Sequence, residues 1–175
     1  MNLTELLKDE IEMAYRSADG LMALVDDAML DWKPESGDNW MTAGQLLMHL
    51  TTACGFCMRG MATGDWSLPD GQNVEEMSED EMLPPAEKLP AVESVEQARA
   101  MLAEDKRVAI ETVVNAGEDD LANRHTAAPW APDENYALGR HLIQMVGHLS
   151  LHKAQLFYYL KLLGKPVNTG HLWGM

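Results

Sequence analysis

From Tyr136 to Leu163 the chain carries no proline, and Leu138, Leu142, Met145, Leu149, Leu156, Tyr159 and Leu160 recur at helical spacing. Apolar residues three, four and seven apart share one face of an α-helix, so this segment predicts a long helix with one buried stripe. A stripe that long cannot be covered by the helix itself and requires partners of comparable length. Gly164 follows as a helix-ending residue, with Lys161 and Lys165 suited to the negative helix end.

Three more segments supply those partners. The first runs from about Thr4 to Met29, with Leu7, Ile11, Ala14, Leu21, Val25 and Ala28 on its buried face and Gly20 as a place to bend. The second opens at Thr42, where Thr42 and Gln45 stand in the relation of a capping box, and continues through Leu46, Leu47, His49, Leu50, Ala53, Phe56, Cys57 and Met61. The turn-rich DWKPESGDNW precedes it. The third opens at Ser94 with Gln97 as a second capping box, and Ala98, Met101, Leu102, Val108, Ala109, Val113 and Val114 carry its apolar content. Between the second and third lies an acidic connection, Gly64 to Glu93, containing Pro69, Pro84, Pro85 and Pro90. It reads as a solvated crossover between helices. No segment alternates like a strand and no repeat occurs at solenoid periods. The expectation is an all-α, four-helix bundle in which residues 1–175 form a single domain.

The 175 residues are enough for one real core, and 46% hydrophobic with 23% charged residues is ordinary for a globular chain. The formal net charge of −15 repels phosphate backbones and anionic lipid, so neither nucleic acid nor membrane is an expected partner. The N-terminal MNLTELLKDEIEM places acids where an export signal needs an apolar run, and the expected location is cytoplasmic. Cys54 and Cys57, the two cysteines, are too few for a disulfide scaffold and fit a reduced compartment.

The chemistry is concentrated in HLSLH. His148 and His152 stand four apart, which puts both imidazoles on one helix face one turn apart. Such a pair suits a metal ion, and it suits a hydrogen-bonded core equally. A metal needs a third ligand from another helix, and His49, set among Leu46, Leu47 and Leu50, is the best candidate. His141 lies seven residues before His148, about 10 Å along a straight helix, so it belongs to the next layer with a buried hydrogen-bonded role. Gln144 and Gln155 flank the pair, as supports for the imidazoles or as plain surface. His125, His171, Trp130 and Trp173 fall in loops or at bundle ends.

Cys54-Gly-Phe-Cys57 offers a rival. Two cysteines and the two histidines are the ligand types of a closed Cys₂His₂ zinc site. In a continuous helix, however, Cys57 stands eight residues and about 12 Å beyond His49, so both cannot reach one ion. A C-x-x-C inside a helix also lacks the turn of a zinc knuckle. The cysteines are therefore expected to pack as small apolar residues.

DWKP followed by MTAGQLLMHL, and HLIQMVGHLSLHKAQLFYYLKLLGKPV near the end, resemble the two signature regions of the DinB-like (DinB/YfiT-like) metalloenzyme family, over nearly the whole chain. The resemblance implies an up-up-down-down four-helix bundle, a homodimer, and a divalent metal, zinc or nickel, on His49, His148 and His152. It also implies metal-dependent transfer chemistry on a small-molecule substrate with a low-molecular-weight thiol such as bacillithiol or mycothiol. The alternatives are a metal-dependent hydrolase and a non-catalytic metal-binding or stress-response protein. Gly147 replaces a frequent Asn of the family, and Lys153-Ala154-Gln155 replaces Arg-Gly-Gln.

Overall fold

The computed structural model of the chain describes residues 2–68 and 71–175, so Pro69 of the acidic connection lies outside the described residues. The chain is mostly helical. Its principal helices are α1 (Leu3–Met22), α2 (Ala43–Leu50), α3 (Gly55–Thr63), α5 (Val95–Asn123) and α6 (Leu138–Leu162), with short α4 (Glu79–Met82) and α7 (Thr169–Trp173). α1 packs on α5 and α6, α3 lies against the same two helices, and α2 contacts α6. Ile11, Leu21, Leu46, Leu50, Leu138 and Leu149 are among the side chains fully withdrawn from solvent at the centre. Each such leucine or isoleucine stabilises the fold by roughly 1.5–3 kcal/mol over an exposed one.

Local chemistry explains most helix ends. Asn2 and Glu5 form a capping box on α1, and Thr42 and Gln45 form the expected one on α2. Ser94 caps α5 by accepting from Gln97 N–H, but Gln97 does not complete the box. Its side-chain oxygen accepts from Glu93 N–H instead, at 2.7 Å. Gly164 ends α6 in the left-handed conformation, at φ 76°.

Three expectations are corrected, on the length of α1, the continuity of the second helix and the absence of strands. α1 stops at Met22 rather than Met29, because Leu24 and Val25 N–H bond three residues back and tighten the last turn. The chain then makes a 3₁₀ turn at Asp27–Met29, and Asp27 Oδ1 caps α5 by accepting Val95 N–H at 2.8 Å. The second helix is not continuous: it breaks between Leu50 and Gly55. Thr51 and Thr52 hydroxyls donate to the Met48 and His49 carbonyls at 2.7 and 3.3 Å there, a side-chain competition that weakens helical pairing. α5 runs on to Asn123, interrupted at Gly117, whose φ of 70° only glycine adopts freely. Finally, a β-hairpin joins α5 to α6.

The hairpin pairs β1 (His125–Ala128) with β2 (Ala131–Ala137), antiparallel, with His125 opposite Ala137 and Thr126 opposite Tyr136. Tertiary bonds fix it: Leu138 N–H donates to Arg124 C=O at 2.7 Å, and His141 Nε2–H donates to Thr126 C=O at 2.8 Å. His141 is thus the buried, hydrogen-bonded residue expected of it. Among the described residues no helix is long and apolar enough to cross a membrane.

Candidate metal centre

His49 projects from the last turn of α2, between Leu47 and Leu50, which are wholly buried and so fix how the helix is rotated. His148 and His152 project from the middle of α6, one turn apart. The two helices bring the three rings together, each half-buried. His49 Nε2 lies 3.3 Å from His148 Nε2 and 3.1 Å from His152 Nε2, and the last two are 3.0 Å apart.

The outer nitrogens decide what those inner ones carry. His148 Nδ1 sits 3.0 Å from the Ala53 carbonyl, which only accepts, so Nδ1 holds the proton and Nε2 is a bare lone pair. His152 Nδ1 sits 3.1 Å from Gln155 Oε1. That amide orientation is set in turn: Tyr159 Oη donates to Met41 C=O at 2.9 Å, leaving it to accept from Gln155 Nε2 at 3.4 Å. His152 Nε2 is therefore a lone pair too. Three contacts converge, and at most one N–H, on His49, is present to serve them.

A cation resolves the conflict. A proton is a poor choice, because burial lowers the pKa of all three rings, and burial with the neighbouring His152 and His148 takes His49 down to about 4. A divalent ion fits better. Nitrogens at the corners of a tetrahedral zinc at 2.0–2.1 Å stand about 3.3–3.4 Å apart, close to the spacing found. Anchoring of the outer imidazole nitrogen by a carbonyl is also how metal-binding histidines are held.

The chain shows a continuous match to the family model described as DinB superfamily over residues 10–156. The chain belongs to the DinB superfamily. No curated protein and no solved structure matched it. Membership of the DinB superfamily agrees with the mostly helical fold and with a histidine cluster drawn from the two segments that carry the resemblance.

The other sequence candidates separate from this centre. Among the described residues, His49, His148 and His152 are the one group of three or more His, Cys, Asp or Glu side chains gathered for an ion. Cys54 and Cys57 are buried free thiols outside it. The helix break removes the straight-helix argument against them, yet both thiols lie near Asp105 on α5, and Cys54 also hydrogen-bonds Tyr15 on α1. Burial, with the Asp105 carboxylate nearby, raises both thiols, Cys57 to about 12. Gln155 supports His152, whereas Gln144 is exposed. His171 caps α7 by accepting Asn168 N–H at 3.2 Å, and Trp130 packs edge-on against Trp66, at 5.4 Å between ring centroids. The Ala53 carbonyl and Tyr159 are the functional groups sequence reasoning missed. Tyr159 lies on the same α6 face as His152 and Gln155, seven and four residues on, which is a legible signal. The carbonyl leaves none.

Proposed function

We propose that His49, His148 and His152 bind one divalent ion, zinc or nickel, and that the protein is a metal-dependent transferase joining a small thiol to a small-molecule electrophile. The observation that carries this reading is the convergence of three Nε2 atoms, two of them on rings whose outer nitrogens are already committed to Ala53 and Gln155. Bound there, a divalent ion supplies Lewis acidity and favours the thiolate form of a thiol, the nucleophilic one. The chain's own part is to aim three lone pairs at one point and hold two of the rings by their Nδ1 protons. Three protein ligands leave at least one coordination position for a small molecule, the pattern of a catalytic rather than a structural site. No Asp or Glu joins the cluster among the described residues, so a hydrolase would lack an evident general base there.

The same reading takes the fold as one four-helix bundle domain of up-up-down-down topology, in which α2 and α3 form a single broken leg, and takes the protein as a cytoplasmic homodimer. An exposed apolar stripe on α6, formed by Ile143, Leu151, Tyr158 and Leu162 beside the histidine face, supports association of two copies. Incubating metal-loaded protein and its His148→Ala variant with electrophiles and a panel of small thiols tests the activity. Conjugation that needs both the metal and a thiol supports transfer, and electrophile loss without thiol points to hydrolysis. Inert protein whose ion is saturated by protein atoms points to a binding role.

A further inference from the structure

α3 begins at a helix break, and its first amides need acceptors. Cys54, at the N-cap position, provides none from its side chain. Asp105 provides them from a different helix. Its Oδ2 accepts Gly55 N–H at 2.9 Å and its Oδ1 accepts Phe56 N–H at 2.8 Å, while Tyr15 Oη donates to Oδ2 at 2.6 Å. Asp105 is only 6% exposed and Tyr15 2%. The fit has no slack: a Cβ on Gly55 would stand 2.0 Å from the Asp105 carbonyl oxygen.

Two residues before Gly55 lies the Ala53 carbonyl, 3.0 Å from His148 Nδ1. Only the φ and ψ of Cys54 separate the rigid peptide plane that carries the Ala53 carbonyl from the one that carries the clamped Gly55 amide, so the clamp narrows where that carbonyl can point. The geometry points to Asp105, with Tyr15, as a positioning residue for His148: the buried carboxylate holds the α2–α3 break so that the Ala53 carbonyl keeps His148 in its Nδ1–H form with Nε2 bare. The link runs from α1 and α5, through the break, to α6. His152 is held independently, by Gln155 and Tyr159 on its own helix.

This inference rests on the metal reading for its consequence and on the fold for its cause, and the two are separable by experiment. In metal-free protein at a pH where imidazole is neutral, long-range ¹⁵N–¹H correlation of labelled histidine reports which ring nitrogen carries the proton. Asp105→Asn, which offers an N–H toward amides that need an acceptor, is expected to move His148 out of the pure Nδ1–H form and to leave His152 unchanged. Gln155→Ala should give the converse. Tyr15→Phe should shift His148 in the same direction by less, and it carries the test if Asp105→Asn does not fold. Zinc affinity, measured by competition with a chromophoric chelator, should fall 10–100-fold in Asp105→Asn, the usual cost of disturbing a group that orients a ligand. A merely structural role would lower the melting temperature and leave both tautomers and the zinc affinity of the folded protein at parental values, which would overturn the assignment. A parent protein that binds no zinc defeats the metal reading, while the crossed tautomer pattern still decides whether Asp105 positions His148.

Discussion

Two polar clusters lie inside this helical protein, and they are satisfied in opposite ways. Around Asp105 every acceptor has a donor within the chain: two backbone amides and a phenol converge on one carboxylate. Around His49, His148 and His152 the outward nitrogens of α6 are satisfied and the inward ones are not, with three nitrogens facing each other at 3.0–3.3 Å. A cluster that closes on itself organises the fold. A cluster whose lone pairs meet without enough protons asks for a cation from outside. Burial sharpens the difference, since unpaired polar groups cost more as solvent is withdrawn.

The comparison breaks most visibly if the ligands are removed. Purified protein should carry about one divalent ion per chain, measured by mass spectrometry of the metal after gel filtration. His148→Ala should lose that stoichiometric metal altogether, because two imidazoles make a weak site. Retention of the ion in the variant would move the site elsewhere. The corresponding blow to the self-satisfied cluster is Gly55→Ala. The new methyl collides with backbone rather than with a flexible side chain, so the strain is expected to cost about 2–3 kcal/mol, read by denaturant unfolding of metal-free protein. A variant within about 0.5 kcal/mol of the parent would show that the break is not tightly held.

The two clusters also differ in how far the sequence disclosed them. His148 and His152 share a strong helix, so their spacing alone placed them together. His49 followed from being a polar ring in an apolar helix that needed a third ligand. The helical segments were legible because apolar periodicity survives without tertiary context. The break at residues 51–54 was not, since threonines are tolerated in helices and the cap that stabilises it comes from Asp105, distant in sequence. The same holds for the hairpin, whose strands show no alternation of buried and exposed residues and which bonds from Leu138 and His141 tie to its neighbours. Asp105 read as one acid among many in a chain of net charge −15.

Acidification sharpens the comparison further, with a sign that differs between the clusters. The three histidines titrate below their usual range when folded, His49 at about 4, because burial penalises the charged ring. Between the unfolded value of about 6.5 and that lower range, the unfolded chain binds protons that the folded one refuses, so metal-free protein should lose stability as the pH falls through this window. Asp105 acts oppositely: burial raises its carboxyl, so it titrates earlier in the folded state and offsets part of the loss at the acid end. The denaturant midpoint of parent and His49→Gln, compared at pH 7.5 and 5, isolates the share of His49. A midpoint that falls less in the variant is expected, and equal falls would remove His49 from the account. For the same reason zinc affinity should hold somewhat below pH 6.5 before protons compete.

The smallest effect belongs to Cys57, and it tests the boundary between the clusters. The residue is 8% exposed, and its thiol donates a weak hydrogen bond to the Thr52 carbonyl at 3.7 Å. Replacing it by alanine removes one buried sulfur, for which about 1 kcal/mol is expected, toward the lower end of buried large-to-small changes. If the metal sits on three imidazoles, the same substitution leaves metal content and zinc affinity unchanged, and X-ray absorption of the parent shows nitrogen near 2.0–2.1 Å without sulfur near 2.3 Å. A thiol drawn into the site would reverse every part of that outcome: zinc affinity would fall steeply on substitution, sulfur would enter the coordination shell, and the break at residues 51–54 would have to turn Cys57 away from Asp105. The buried carboxylate that caps α3 is what opposes such a turn. Cys57→Ala therefore measures whether the cap is strong enough to keep the two clusters apart.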